Sequence, residues 1–294
     1  MADVDIMMPF YGDVAMMQAS VRSVMAQDDP RWRLTVIDDD SNPAVPEWFE
    51  TIDDERVRYV KNPRNLGLTG NFNRCLELVE HELAVLIGCD DLMLPNYVGV
   101  VQGVYADHPD VGIIQPGVRV IDGAGNEAKT LVDEAKRRVY APRFDRRVTL
   151  TGEELAVSLL RGDWLYFPSL TWRTEALKGK RFRPELKVIQ DLALLLELVQ
   201  DGAKLVADRS VAFEYRRHDA SESSATAFDG SRFTEAGEFF NDIADRMAAH
   251  GWQKAARVAR LHLSSRIFAL TKLPQAMRAR KGVQPLVRHA FGRA

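Results

Sequence analysis

The 294-residue chain has no G-x-G-x-x-G and no G-x-x-x-x-G-K-[ST]. Neither of the two common glycine-rich phosphate cradles is therefore present, and any phosphate bound here needs a metal instead. No apolar run approaches the roughly 18 residues that span a bilayer. The amino terminus, MADVDIMMPF, carries acids and no basic segment, so it does not read as a secretory signal. There are two cysteines, Cys75 and Cys89, spaced neither as metal ligands nor as a disulfide framework. With Cys75 on the apolar face of a predicted helix, a reducing, cytoplasmic setting is expected. Acidic residues are missing altogether from residues 254–294, which hold ten of the 39 Lys/Arg. The other 29 stand against 42 Asp/Glu, a net charge of −13. An acidic body argues against nucleic acid as the partner of the main domain.

The first hundred residues alternate short apolar strands with helices. Val4 to Pro9 is a predicted strand emptying into Pro9-Phe10-Tyr11-Gly12-Asp13, and Val14, Met17, Val21 and Val24 follow at helical spacing. Leu34 to Ile37 runs into Asp38-Asp39-Asp40-Ser41. Arg56 to Val60 closes on Asn62-Pro63-Arg64-Asn65-Leu66-Gly67, and a helix over 69–80 puts Phe72, Cys75, Leu76 and Val79 on one face. Alternation of this kind implies an α/β fold with a mostly parallel sheet and helices on both faces. Consecutive parallel strands present their C-terminal ends together, where such sheets bind ligands.

The stretch that organises the rest is Ile87-Gly88-Cys89-Asp90-Asp91-Leu92-Met93-Leu94-Pro95. Adjacent carboxylates after a buried strand fit either of two readings. One is a solvated Asp-Asp turn, since Asp favours turns. The other is a site for a hard cation such as Mg²⁺ or Mn²⁺, or for a sugar hydroxyl.

Together, PFYGD, IDDDS, NPRNLG before a helix, and GCDD followed by L-x-L-P resemble the nucleotide-sugar half of a family 2 glycosyltransferase of the GT-A fold. That resemblance implies an inverting, metal-dependent sugar transfer from a UDP- or dTDP-linked donor, with Mn²⁺ or Mg²⁺ as cofactor and a glycan or lipid-linked glycan as acceptor. It makes Asp39 the reader of the base with Asp38 beside it, Asp90 the holder of the ribose, and Asp91 the metal ligand on the diphosphate. Pro9, Tyr11, Asn65, Gly67 and Asn71 then line the nucleotide. Many members read D-x-D-D where this chain has Gly88, which leaves fewer protein ligands for the metal.

The second half extends the resemblance. Asp191, in Val188-Ile189-Gln190-Asp191-Leu192, matches the Asp of an acidic pair whose Asp is the general base, and Gln190 stands where the family has Glu. As a bare residue, an acid in a helix's first turn is equally a dipole partner. Tyr215-Arg216-Arg217-His218 resembles the stretch closing the catalytic domain, with His218 completing the metal shell and Arg216 meeting phosphate. Trp164 and Tyr166 suit an acceptor or a hydrophobic core. Residues 111–120 read as a strand pair broken at Gln115-Pro116-Gly117, and Thr151 to Glu154 as a capping box. The charged stretch 127–150 reads as a flap or a plain loop.

This organisation is a GT-A domain over 1–220, with a nucleotide-sugar half (1–100) and an acceptor half (101–220), and a helical, basic appendage over 221–294. In the appendage, 232–249 and 252–272 read as helices, Pro274 ends the second, and a polar, Gly- and Pro-broken stretch follows. The tail either packs on the acidic body or makes a peripheral membrane contact. Two other functions fit the sheet. A sugar nucleotidyltransferase would want a basic, Gly-rich loop after its first strand, which PFYGD lacks. A non-catalytic nucleotide- or glycan-binding module would tolerate Gly88.

Overall fold

The computed structural model describes residues 3–39, 42–217, 231–279 and 282–292. Its first half alternates as the sequence pattern requires: β1 (Val4–Phe10), α1 (Val14–Met25), β2 (Trp32–Asp38), α2 (Val45–Glu50), β3 (Val57–Lys61), α3 (Gly67–Glu77) and β4 (Leu83–Leu86). Asp13 starts α1 by accepting the Met16 N–H at 2.9 Å, which satisfies one of the helix's orphan donors. All four strands run parallel in the order β3-β2-β1-β4. In β1, Met7 packs into one core while Ile6, Met8 and Phe10 pack into the other, so the sheet is covered on both faces.

The second half comprises β5 (Leu92–Met93), α4 (Tyr97–Asp107), β6 (Ile113–Ile121), α5 (Leu131–Ala135) running into a π turn at Lys136–Tyr140, and β7 (Arg147–Leu150). Then come α6 (Gly152–Arg161), β8 (Thr171–Arg173), α7 (Thr174–Leu177), α8 (Gln190–Gln200) and β9 (Leu205–Arg216). Here the sheet is mixed. β8 lies antiparallel between β4 and β6, β6 and β9 are parallel, and β5 and β7 pair antiparallel with β9.

Residues 113–121 form one strand, not a broken pair, because the irregularity is a bulge against β9. A Cβ at Gly117 would lie 2.7 Å from the Arg209 carbonyl, so only glycine lets the bulged strands meet. Thr151 occupies the N-cap of α6 without a side-chain cap bond. The acid that caps is Glu153, and it caps a different helix, accepting Lys254 N–H at 2.6 Å and Ala255 N–H at 3.1 Å.

The C-terminal helices are α9 (Ser231–Ala249), α10 (Gln253–Leu261), α11 (Leu263–Ala279) and α12 (Val283–Phe291). The expected single helix over 252–272 breaks at His262, which sits in the left-handed region at φ 30°. The next helix continues through Pro274, which lies on its exposed face. Water can there satisfy the carbonyl that proline's missing N–H abandons. Beyond it, Val283–Phe291 is helical instead of a broken polar stretch. Phe239, Phe240, Ile243 and Met247 of α9 and Ala255, Ala256 and Ala259 of α10 belong to the main core cluster, beside Leu155 and Leu159 of α6. A smaller cluster joins Phe233 to α11 and α12.

Candidate active site

Parallel pairing brings the ends of β1, β2, β3 and β4 to one edge, with Phe10 opposite Asp38 and Asp38 opposite Lys61. Asp38 is fully buried and accepts the Tyr59 hydroxyl at 2.6 Å. Asp39 is buried as well. Its carboxylate takes Asn62 Nδ2 at 2.9 Å, Leu66 N–H at 2.7 Å and Gly67 N–H at 2.9 Å. The turn Asn62–Gly67 is thus wrapped around Asp39, and Gly67 at φ +72° lets it close. Asn71 completes the brace, donating to the Ile37 carbonyl at 3.0 Å and accepting from Asn62. Asn65 Oδ1 also accepts the Gly67 N–H. Pro9 is half-buried at the end of β1, while Tyr11 is 64% exposed beside it.

The Asp90-Asp91 turn follows β4. A Cβ placed on Gly88 would meet Asp91 Oδ2 at 2.6 Å and Asp90 Oδ1 at 2.9 Å. The two carboxylates therefore converge over Gly88, in space that any other residue's side chain would fill. Burial and the neighbouring Asp90 charge push the Asp91 carboxyl well above its ordinary range, while the Arg216 N–H on Oδ1, at 2.8 Å, opposes this. Arg216 ties the turn down further. Its guanidinium donates to the carbonyls of Asp90 (2.7 Å), Asp122 (3.1 Å) and Gly123 (3.2 Å). The structure thus brings Arg216 to the acidic turn, with those donors directed at backbone oxygens. One buried and one half-buried carboxylate facing the same point suit a divalent cation that takes its other ligands from water and phosphate. Among the described residues no group of three His, Cys, Asp or Glu converges on one point. His218 lies outside the described residues.

Aromatics run from this turn to Lys136, whose charge acts on Asp191. The Tyr215 ring lies 5.2 Å from that of Tyr166, and burial first, then Asp91, push the Tyr215 phenol up to about 12. Tyr166 donates to Asp133 at 2.9 Å, and Arg217 grips the same carboxylate at 2.6 and 2.7 Å. Lys136 sits 4.9 Å from the Tyr166 ring centre and donates to the Leu165 carbonyl at 2.9 Å. Trp164 is in the main core, donating to Ser158 Oγ at 3.1 Å. Trp164 and Tyr166 both line a cleft of about 1090 Å³, together with β6, the stretch from Glu127 to Asp145, and β9.

Asp191 is the second residue of α8. Its carboxyl is pushed up to about 6, first by burial, then by the negative charge of Asp163, against the pull of Lys136. Asp163 is itself raised by burial. The sequence reading missed Asp163, which bears a lone acid in a loop and no motif. Gln190, in place of the family's Glu, is buried and accepts Thr69 Oγ1 at 3.1 Å. The second carboxylate beside Asp191 thus comes from a different element.

Sheet order, acidic edge and helical flanks define a GT-A glycosyltransferase architecture. The sequence profile of Glycosyl transferase family 2 matches residues 5–158, just over half the chain, and the protein belongs to that family. It is 24% identical to the uncharacterized protein MT1568 of Mycobacterium tuberculosis over 225 residues, 74% of this chain and 67% of that one. It is 29% identical over 93 residues to Escherichia coli WfgD, a UDP-Glc:α-D-GlcNAc-diphosphoundecaprenol β-1,3-glucosyltransferase. That match spans 32% of this chain and 37% of WfgD. Among solved structures, Staphylococcus aureus TarS 1-349 in complex with UDP-GlcNAc superposes with a TM-score of 0.70 at 16% identity, covering 98% of this chain and 81% of that one. The Pyrobaculum calidifontis mannosyltransferase PcManGT, in complex with GDP-Man and Mn²⁺, gives 0.59 at 15% identity, covering 98% and 86%. At these identities the structural likeness speaks for the fold.

Proposed function

We propose that the protein is an inverting, metal-assisted glycosyltransferase that moves a sugar from a UDP- or dTDP-linked donor to a hydroxyl of a glycan or lipid-linked glycan. The observation that supports this reading best is Asp191: a carboxylate pushed up to about 6, connected through Lys136, Tyr166 and Tyr215 to the turn where Asp90 and Asp91 converge. The nucleoside is assigned to the edge formed by Pro9, Tyr11, Asn65 and Gly67, with Asp38, Asp39 and Asn71 holding that edge in shape. Asp90 is assigned to the ribose. Asp91 would hold the cation, whose chemistry when bound is to neutralise charge on the diphosphate. Arg216 is assigned to keeping Asp91 in place. Asp191 takes the acceptor proton as the acceptor oxygen bonds to the anomeric carbon, and the diphosphate leaves with the bonding electrons. Tyr166 and the cleft beside it receive the acceptor.

The test is hydrolysis and transfer with UDP-glucose, UDP-GlcNAc, dTDP-rhamnose and GDP-mannose, with and without Mn²⁺, and calorimetry with UDP. Turnover of a uridine or thymidine donor with inversion at the anomeric carbon is expected. UDP binding without turnover of any donor would assign a non-catalytic module.

The base has a pH signature. Only the carboxylate form of Asp191 accepts a proton, so kcat is expected to rise with pH through about 6. Asp163→Asn removes a negative charge that raises Asp191 and is expected to move this acidic limb to lower pH. Lys136→Met removes an opposing cation and is expected to move it up. Arg232, which also faces Asp191, is unchanged in both. A limb that stays fixed in Asp163→Asn belongs to another group.

A second surface supports a lipid-linked acceptor. Leu263, Ile267, Leu270 and Met277 follow one face of α11 and are 39–61% exposed, with Pro274 between them; Val287 and Phe291 of α12 are exposed too. Since residues 254–294 have ten cations and no acid, pairing two copies through this face would oppose like charges, whereas an anionic lipid surface complements it. No helix among the described residues is long and apolar enough to cross a membrane, so the reading is contact at the surface. Each engaged cation contributes about 1 kcal/mol. The protein is expected to sediment with phosphatidylglycerol-containing vesicles at low salt but not with pure phosphatidylcholine, and Ile267→Ser/Leu270→Ser is expected to release it. Equal recovery in both supernatants, or a dimer dissolved by the same substitutions, would reassign the face.

A further inference from the structure

The helix that presents Asp191 has no side-chain acceptor at its N-cap. That residue is Ile189, and residues 178–189 before the helix contain no regular element. The segment that leads into it is held from another part of the chain. Glu235 of α9 takes three successive backbone N–H groups, those of Lys187 (3.0 Å), Val188 (2.9 Å) and Ile189 (3.1 Å). Charge-assisted bonds to consecutive amides fix both the position and the direction of the backbone that donates them. Two residues later stands Asp191.

The far end of the same pair of helices is tied as well. Arg246 of α9 donates to Gln200, the last residue of α8, at 3.2 Å. Glu235 and Arg246 are eleven residues apart, as are Ile189 and Gln200, so α9 runs beside α8 in the same direction and secures it at both ends. One turn before Glu235, Arg232 lies desolvated, with the carboxylates of Asp191 and Glu235 favouring its charge and Arg217 opposing it. Glu235 and Arg232 are three apart and share a helix face. That face meets the active site.

We propose that Glu235 is a positioning residue for Asp191, and that α9, though it lies beyond the family-matched segment 5–158, is part of the machinery that aims the base. The inference rests on Asp191 being that base. With Glu235 in place the first turn of α8 has a single direction. Without it three amides lose their acceptor, the segment 187–189 is free to rearrange, and Asp191 no longer meets the acceptor hydroxyl squarely. Displacements of about an ångström at such a group lower rates by up to about 10²-fold.

The test compares Glu235→Ala and Glu235→Gln with Asp191→Asn and the double variant Asp191→Asn/Glu235→Ala. The donor is whichever of the four nucleotide sugars turns over fastest in the wild type. In Glu235→Ala, kcat is expected to fall roughly 10–100-fold while UDP affinity and donor KM stay within about twofold. Amide exchange is expected to rise at 187–192 and to stay unchanged in the parallel sheet. Glu235→Gln, which keeps one acceptor oxygen, should recover part of the rate, and serves also if the alanine variant does not fold. In the double variant the loss should be no greater than in Asp191→Asn alone, because Glu235 acts through Asp191. Losses that multiply, a loss of kcat that tracks UDP affinity, or an unchanged kcat despite faster exchange at 187–189 would each overturn the proposal. If instead Asp191→Asn alone keeps wild-type transfer, the base assignment itself fails, and the positioning role with it.

Discussion

Asp191→Asn is expected to reduce transfer by roughly 10²–10⁴-fold while leaving UDP affinity unchanged. The substitution keeps the shape of the side chain and its place at the start of α8, where Asp191 Oδ1 accepts the Leu192 N–H at 2.7 Å. It removes the capacity to accept a proton. The residues assigned to the nucleotide lie at the ends of β1, β2 and β4 and in or just before α3, whereas Asp191 starts α8, so binding of UDP is expected to have no direct dependence on this carboxylate. Removing a negative charge from a buried pair also relieves the repulsion felt by Asp163, so the variant should be no less stable than the wild type in thermal unfolding. Near-wild-type transfer would return Asp191 to the role of a helix-dipole partner.

Asp91→Ala is expected to abolish the enhancement of UDP binding by Mn²⁺. The argument turns on Gly88, over which Asp91 Oδ2 and Asp90 Oδ1 converge. Holding two carboxylates so close is unfavourable: burial first, then the Asp90 charge, push the Asp91 carboxyl well above its ordinary range, and a divalent cation between them reverses the sign of the interaction. Asp91→Ala removes half of the pair and leaves the Arg216 N–H without its acceptor at a strand edge, not in the core. Gly88→Ala reaches the same end by another path, since its methyl group would stand in the space the two oxygens now face. Both variants should bind UDP equally with and without Mn²⁺ in calorimetry. If Asp91→Ala retains the wild-type response to the metal, the cation is held elsewhere.

The strand edges were legible because their causes are local. A short apolar run that ends in Asp, Asn or Gly declares both the strand and the turn, and β1, β2 and β4 each end as those runs predict. Mixed pairing in the second half was not legible, because β8 is three residues long and takes its place between β4 and β6 only through tertiary packing. Asp39 was read as a base contact from its motif; the donors that its carboxylate takes from residues 62–67 were not legible, because no local pattern connects them to it. Asp163 and Glu235 had no signal, since each matters for a residue 28 or more positions away. The Thr151–Glu154 pattern pointed to the right helix start and the wrong bonds. Glu153 is drawn instead to amides that lie 101 and 102 residues further along. Pro274 misled because the rule that proline ends a helix assumes a carbonyl without water.

The two carboxylates that hold distant backbone amides, Glu153 and Glu235, set an order of events during synthesis. Chains emerge amino terminus first, at roughly 5–20 residues per second, and fold as segments become available. The parallel strands, the acidic turn and Asp191 itself are all made before residue 200. Glu235, which closes the turn ahead of Asp191, appears tens of residues later, and the amides that Glu153 awaits come later still. A nascent chain long enough to form the nucleotide edge therefore precedes, by several seconds of translation, a chain able to aim its base.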